Sequence, residues 1–110
     1  MIRIVPLYPE IDFKGITHMI ATSQTVLKLV HPPPHVQVLA VGKKTASLAK
    51  GALIAQDECA EGIIELLKPL QEAYILYPHS ALSRPLITDY LKQRFWFREV
   101  ILYDVVFQAL

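Results

Sequence analysis

A single cysteine and only four glycines occur in a chain of 110 residues, and each scarcity excludes something. Cys59 has no partner for an internal disulfide, and no basic segment followed by an apolar stretch opens the chain, which together favour the cytoplasm. Gly42 stands alone, so there is no Gly-rich phosphate loop of the Walker or dinucleotide type, and nucleotide hydrolysis is disfavoured. Charge of one sign is also scarce. Eleven Lys and Arg against ten Asp and Glu leave a net charge of +1, with no overall field to recruit nucleic acid or an acidic membrane. Anion binding, where it occurs, must be local. Every apolar run is broken by charges or prolines well short of the roughly 20 residues a span requires, so no membrane segment is expected.

Other chemistry is missing by spacing. The histidines at 18, 31, 35 and 79 do not fall at ligand distance from Cys59 or from clustered carboxylates, which argues against a metal site. His18 reads as a satisfied core residue within a strand. Ser80, His79 and Asp89 supply the residue types of a hydrolytic triad, but no strained nucleophile elbow surrounds the serine. A receiver domain would need acidic residues at the ends of its first and third strands, and Val41-Gly42 occupies the latter.

What is present is a core. Hydrophobic residues make up 53% and charged residues 19%, too apolar for disorder, and the length suits one domain over residues 1–110. RIVPLY (3–8) and THMIATS (17–23) read as strands. SQTVLKLV (23–30) reads as a helix behind Ser23 as N-cap, ended by the rigid connector HPPPH (31–35). HVQVLAV (35–41) is the next strand, followed by a short helix from Gly42 to Lys50 that Gly51 stops, and LIAQ (53–56) is a small strand. Glu61 to Leu70 carries Ile63, Ile64, Leu67 and Leu70 on one stripe, and AYILYP (73–78) has the continuous apolar character of a strand buried on both faces. Ser83 is placed to cap a helix holding Pro85 in its first turn, with Leu86, Ile87, Tyr90 and Leu91 facing inward. FREVILYDVVF (97–107) closes the chain as a last strand. Alternating strands and helices predict an α/β three-layer sandwich of about five parallel strands with helices on both faces.

In such a sheet, ligands bind beyond the carboxyl ends of the strands, where loops lead into helix N-termini. Those positions are Thr22, Ser23 and Gln24; then Gly42, Lys43, Lys44 and Thr45; then His79, Ser80, Ser83 and Arg84; and finally Tyr103 and Asp104. The first three groups offer hydroxyls, amides and cations and no carboxylate, a rim suited to an anion. The alternative is that Ser23 and Ser83 are ordinary caps and Lys43 and Lys44 solvated charges. Both readings stand at this point.

Three segments resemble the second of the two α/β domains of the uroporphyrinogen-III synthase family: THMIATSQTV (17–26), AVGKKTASLAKG (40–51) with its Val-Gly-x-x-Thr-Ala element, and ILYPHSALSRPLITDYLKQRFWFREVILYD (75–104). The resemblance implies a flavodoxin-like fold and a cofactor-free, metal-free enzyme of tetrapyrrole biosynthesis. Such an enzyme closes hydroxymethylbilane, which carries eight carboxylates, to uroporphyrinogen III with loss of water and inversion of the last ring. It further implies that Thr22, Ser23, Gly42, Lys43, Thr45, Ser80 and Ser83 line the substrate cleft, and that Tyr103 assists departure of the hydroxyl. Typical members have two such domains joined by two strands; this chain matches one and lacks the opening Thr-Arg-Pro strand. The expectation is therefore a synthase completed by a second domain, chain or copy, a non-catalytic tetrapyrrole-binding or protein-interaction module, or a fragment of a longer enzyme. DVVFQAL (104–110) either folds back onto the core or marks where that partner docks.

Overall fold

In a computed structural model, residues 2–7, 9–55, 59–81 and 85–107 are described. Six strands and four helices follow in the order β1 (Ile2–Pro6), β2 (His18–Ala21), α1 (Gln24–Leu29), β3 (Gln37–Val41), α2 (Lys43–Ala46), β4 (Leu53–Ala55), α3 (Ala60–Leu67), β5 (Tyr74–Ser80), α4 (Leu86–Arg94) and β6 (Trp96–Phe107). They form one sheet in the order β1-β6-β5-β2-β3-β4.

Five strands, β6, β5, β2, β3 and β4, run parallel. The sixth, β1, is antiparallel to the far half of β6, with Ile2 opposite Phe107 and Pro6 opposite Tyr103. Strand–helix alternation therefore does not hold throughout. No helix separates β1 from β2, so there is no crossover to turn β1 parallel, and it pairs antiparallel on the edge of β6 away from β5.

Side chains alternate across the parallel strands and divide the core in two. Met19, Ala21, Val38, Ala40 and Leu76 face one side, where Val26 and Leu27 of α1 and Ala46 of α2 cover them. Ile20, Leu39, Ile75 and Tyr77 face the other, under Ile63 and Leu67 of α3 and Ile87 and Leu91 of α4. Burial on both faces explains the near-continuous apolar character of β2, β3 and β5. At about 1.5–3 kcal/mol for each fully buried large aliphatic side chain, these two layers supply most of the folding drive.

Several local expectations are corrected. The helix expected from Gly42 to Lys50 is one turn, Lys43–Ala46, continued by three-residue turns from Leu48 to Thr45 and from Ala49 to Ala46. The Ser47 hydroxyl donates to the Lys44 carbonyl at 2.7 Å, and only Thr45 and Ala46 of the turn are buried, so little packing extends the helix. His79 and Ser80 are not loop residues but the last two of β5. Pro85, expected inside the first turn of α4, occupies its N-cap position, and Leu86, expected to face inward, is 41% exposed. His18 is half-buried at the first residue of β2, with its Nδ1 2.7 Å from the Thr17 hydroxyl, and is not a core residue. Ser83 and Arg84, like the side chains from Val105 onward, lie outside the described residues.

Candidate functional site

From β2 the chain proceeds outward through β3 to β4, then returns to the other side of β2 to lay down β5 and β6. The order reverses between β2 and β5. At such a point successive loops leave toward opposite faces and open a crevice at the carboxyl ends of the strands.

Four of the sequence-selected residues align there. Counting on from the pair Met19–Leu76 sets Ser23 level with Ser80, and counting on from Ala21–Ala40 sets Ser23 level with Gly42. Ser80 is itself paired with Tyr103. Ser23, Gly42, Ser80 and Tyr103 thus form a row across β3, β2, β5 and β6, with Thr22 one residue inside it. The Tyr103 side chain reaches past the end of β5 and brings Oη to 3.4 Å from Ser23 Oγ. That separation exceeds the usual 2.7–2.8 Å of a hydroxyl pair, so the contact is weak and easily exchanged for a ligand.

Ser23 occupies the N-cap position of α1 in extended conformation, yet its side chain makes no capping bond; its hydroxyl is turned to Tyr103 instead. Gly42 leads into α2 with φ +81° and ψ 160°, a conformation effectively reserved for glycine, and is buried. Lys43 is exposed beside it, and Lys44 likewise. Thr45 is 6% exposed, within α2 and below the row, and does not join the surface group.

Two features escaped the sequence. First, the β5–β6 register slips between His79 and Ser80: His79 pairs with Ile101 and Ser80 with Tyr103, leaving Leu102 as an extra residue in β6. Second, His79 is buried on the α4 side of the sheet. Its Nδ1 lies 2.7 Å from the Ser80 carbonyl, which can only accept, so Nδ1 carries the hydrogen. Its Nε2 lies 3.0 Å from Glu99 Oε1 but off the N–H direction, an electrostatic contact and not a well-formed hydrogen bond; it is an ion pair when the ring is protonated. Glu99 Oε2 accepts from the Thr88 hydroxyl of α4 at 3.2 Å. Strand parity was the available signal, since His79 shares a face with Ile75 and Tyr77, and Glu99 with Phe97. The triad of Ser80, His79 and Asp89 does not assemble, because the histidine engages the serine's carbonyl and turns its other nitrogen to Glu99.

Among the described residues, no group of three or more His, Cys, Asp or Glu could hold a metal ion, and no helix is long and apolar enough to cross a membrane. A cleft of about 420 Å³ lies elsewhere, between the end of α1, the prolines 32–34, the entry to β3 and residues 48–50. It sits at the opposite edge of the sheet from the row, and none of the sequence-selected residues lines it.

The family model described as uroporphyrinogen-III synthase HemD matches residues 2–109. Among solved structures, uroporphyrinogen-III synthetase from Helicobacter pylori is similar at a TM-score of 0.66 with 19% sequence identity, over 99% of this chain and 55% of that one. The present chain thus spans about half the length of that structure, and the likeness at this identity establishes the shared fold. No curated protein matches the sequence.

Proposed function

The chain belongs to the uroporphyrinogen-III synthase family, and from that premise we propose that it acts in cyclising hydroxymethylbilane to uroporphyrinogen III, in the cytoplasm, with a second domain or chain closing the cleft. The observation that carries the proposal is the row Ser23–Gly42–Ser80–Tyr103 at the reversal of strand order, with Lys43 exposed next to it.

The chemistry asks little of individual side chains. Once the terminal hydroxyl departs, the linear tetrapyrrole closes unaided to the isomer without inversion, so the protein's task is to hold the last ring in the inverted orientation. Orientation of this kind lowers a barrier by several kcal/mol. In the proposal, the backbone amides following Gly42 and the hydroxyls of Thr22, Ser23 and Ser80 receive carboxylates. Lys43 adds a cation, and the family resemblance assigns a place in the same cleft to Ser83, which lies outside the described residues. Buried Thr45 acts through its amide within the α2 turn. Tyr103, in the same reading, donates the proton that assists loss of the hydroxyl as water, a contribution of about 10²-fold.

The test is the isomer distribution formed from hydroxymethylbilane. Type III in excess over the spontaneous background is the expected result, and type I alone under conditions where the protein binds the bilane contradicts catalysis by this chain. The second result would fit a non-catalytic tetrapyrrole-binding or protein-interaction module.

A further inference from the structure

The slip in register at the end of β5 decides where Tyr103 points. Along β5 and β6, paired residues share a face: Ile75 with Phe97, Tyr77 with Glu99 and His79 with Ile101 look toward α3 and α4, whereas Leu76 with Arg98 and Pro78 with Val100 look toward α1 and α2. Regular pairing would set Ser80 opposite Leu102 and turn Tyr103 to the α4 side, away from Ser23. The extra residue puts Leu102 and Tyr103 successively on the α1 side, and Tyr103 Oη comes within 3.4 Å of Ser23 Oγ. Bulges that re-aim a side chain in this way disrupt the ladder locally and need something to hold them.

On the opposite face, one side chain is in place to do so. His79 is the last residue before the slip, its side chain 8% exposed. Its Nδ1–H donates to the carbonyl of Ser80, the first residue after the slip, and Nε2 lies 3.0 Å from Glu99 Oε1 of β6, an attraction when the ring is protonated; Glu99 Oε2 in turn accepts from the Thr88 hydroxyl of α4. The Ala81 amide then donates to the Tyr103 carbonyl at 3.0 Å and closes the displaced rung. A buried imidazole with one nitrogen on the bulge and the other on the neighbouring strand is more than packing requires, since an aliphatic side chain would fill the space without a polar atom to satisfy.

We infer that His79 is a positioning residue: with Glu99, it locks the bulge between β5 and β6 and so aims the Tyr103 hydroxyl at Ser23. The inference rests on the proposed role of the Tyr103 row, but its test does not depend on turnover. In the full chain, NMR reports a cross-peak between the Tyr103 ring and the Ser23 methylene. His79→Leu loses this cross-peak while retaining a cooperative unfolding transition. His79→Asn keeps more of it than His79→Leu, because the amide nitrogen donates to the Ser80 carbonyl from nearly the same position but does not reach Glu99. Glu99→Ala weakens it. An undiminished cross-peak in His79→Leu overturns the inference, as does its absence from the unmodified protein or a cross-peak in His79→Asn no stronger than that in His79→Leu. Should His79→Leu not fold, Glu99→Ala decides: a weakened cross-peak supports the lock and an unchanged one refutes it. The isomer distribution of the unmodified protein is read separately, so a protein that shows the cross-peak pattern but yields no type III excess refutes the synthase reading and leaves the lock standing.

Discussion

Gly42, His18 and Tyr103 each make a separate demand on the molecule. At φ +81° and ψ 160°, Gly42 occupies a region that a Cβ penalises by about 1–3 kcal/mol, so Gly42→Ala lowers the free energy of unfolding by that amount in urea or guanidinium titrations. His18 is partly desolvated, which disfavours its charged form and moves its pKa below the ordinary 6.5. The unfolded chain then binds the proton more readily than the native one. The stability His18 contributes is present above about pH 6.5 and is lost as pH falls through the lower native value. Melting temperatures measured below about pH 6.5 should decline less steeply in His18→Gln than in the unmodified protein. Tyr103→Phe removes only a weak hydroxyl contact, so its stability falls by less than about 1 kcal/mol. On the proposed function, its rate of type III formation falls about 10²-fold. The sequence pointed to Gly42 as a lone glycine after an apolar strand and to Tyr103 as a tyrosine late in a strand, but it read His18 as a core residue, which it is not. It placed His79 in a loop of the rim and did not pair it with Glu99, because their meeting depends on the register between β5 and β6.

At the level of elements, the strands were legible where both faces are buried. Met19-Ile20-Ala21 and Val38-Leu39-Ala40 alternate between two apolar layers and read as unbroken hydrophobic runs. The stripe of α3 was also legible, with Ile63 and Leu67 fully buried. Ile63→Ala should cost about 2–5 kcal/mol, whereas Leu86→Ala on the exposed side of α4 stays within about 0.5 kcal/mol; chemical denaturation of the two variants measures the contrast. The extent of α2 was not legible, because AVGKKTASLAKG has helix-forming residues throughout while tertiary packing reaches only Thr45 and Ala46. Nor was the slip in β6, since nothing in VILYD marks Leu102 as the extra residue. A bulge is a property of two paired strands, and the sequence of either one alone leaves it undetermined.

For the molecule as a whole, five strands in parallel bring loops separated by up to 80 residues to one edge, and the Ser23–Tyr103 contact is the physical trace of that convergence. The alternation of strands and helices was enough to predict this layered architecture, but not the antiparallel placement of β1 along the far half of β6. In the proposed function, one edge supplies one wall of a cradle for a substrate with carboxylates along its whole length, and the remaining contacts come from a second domain or chain. The most direct test of the central claim is an amide-resolved NMR titration with a linear bilane that carries the same carboxylates but no terminal hydroxyl, so that binding is read without turnover. The account predicts shifts concentrated at Thr22, Ser23, Gly42, Lys43, Ser80 and Tyr103. Shifts confined to the cleft beneath the prolines 32–34, or an absence of shifts along the row at saturating bilane, would contradict it.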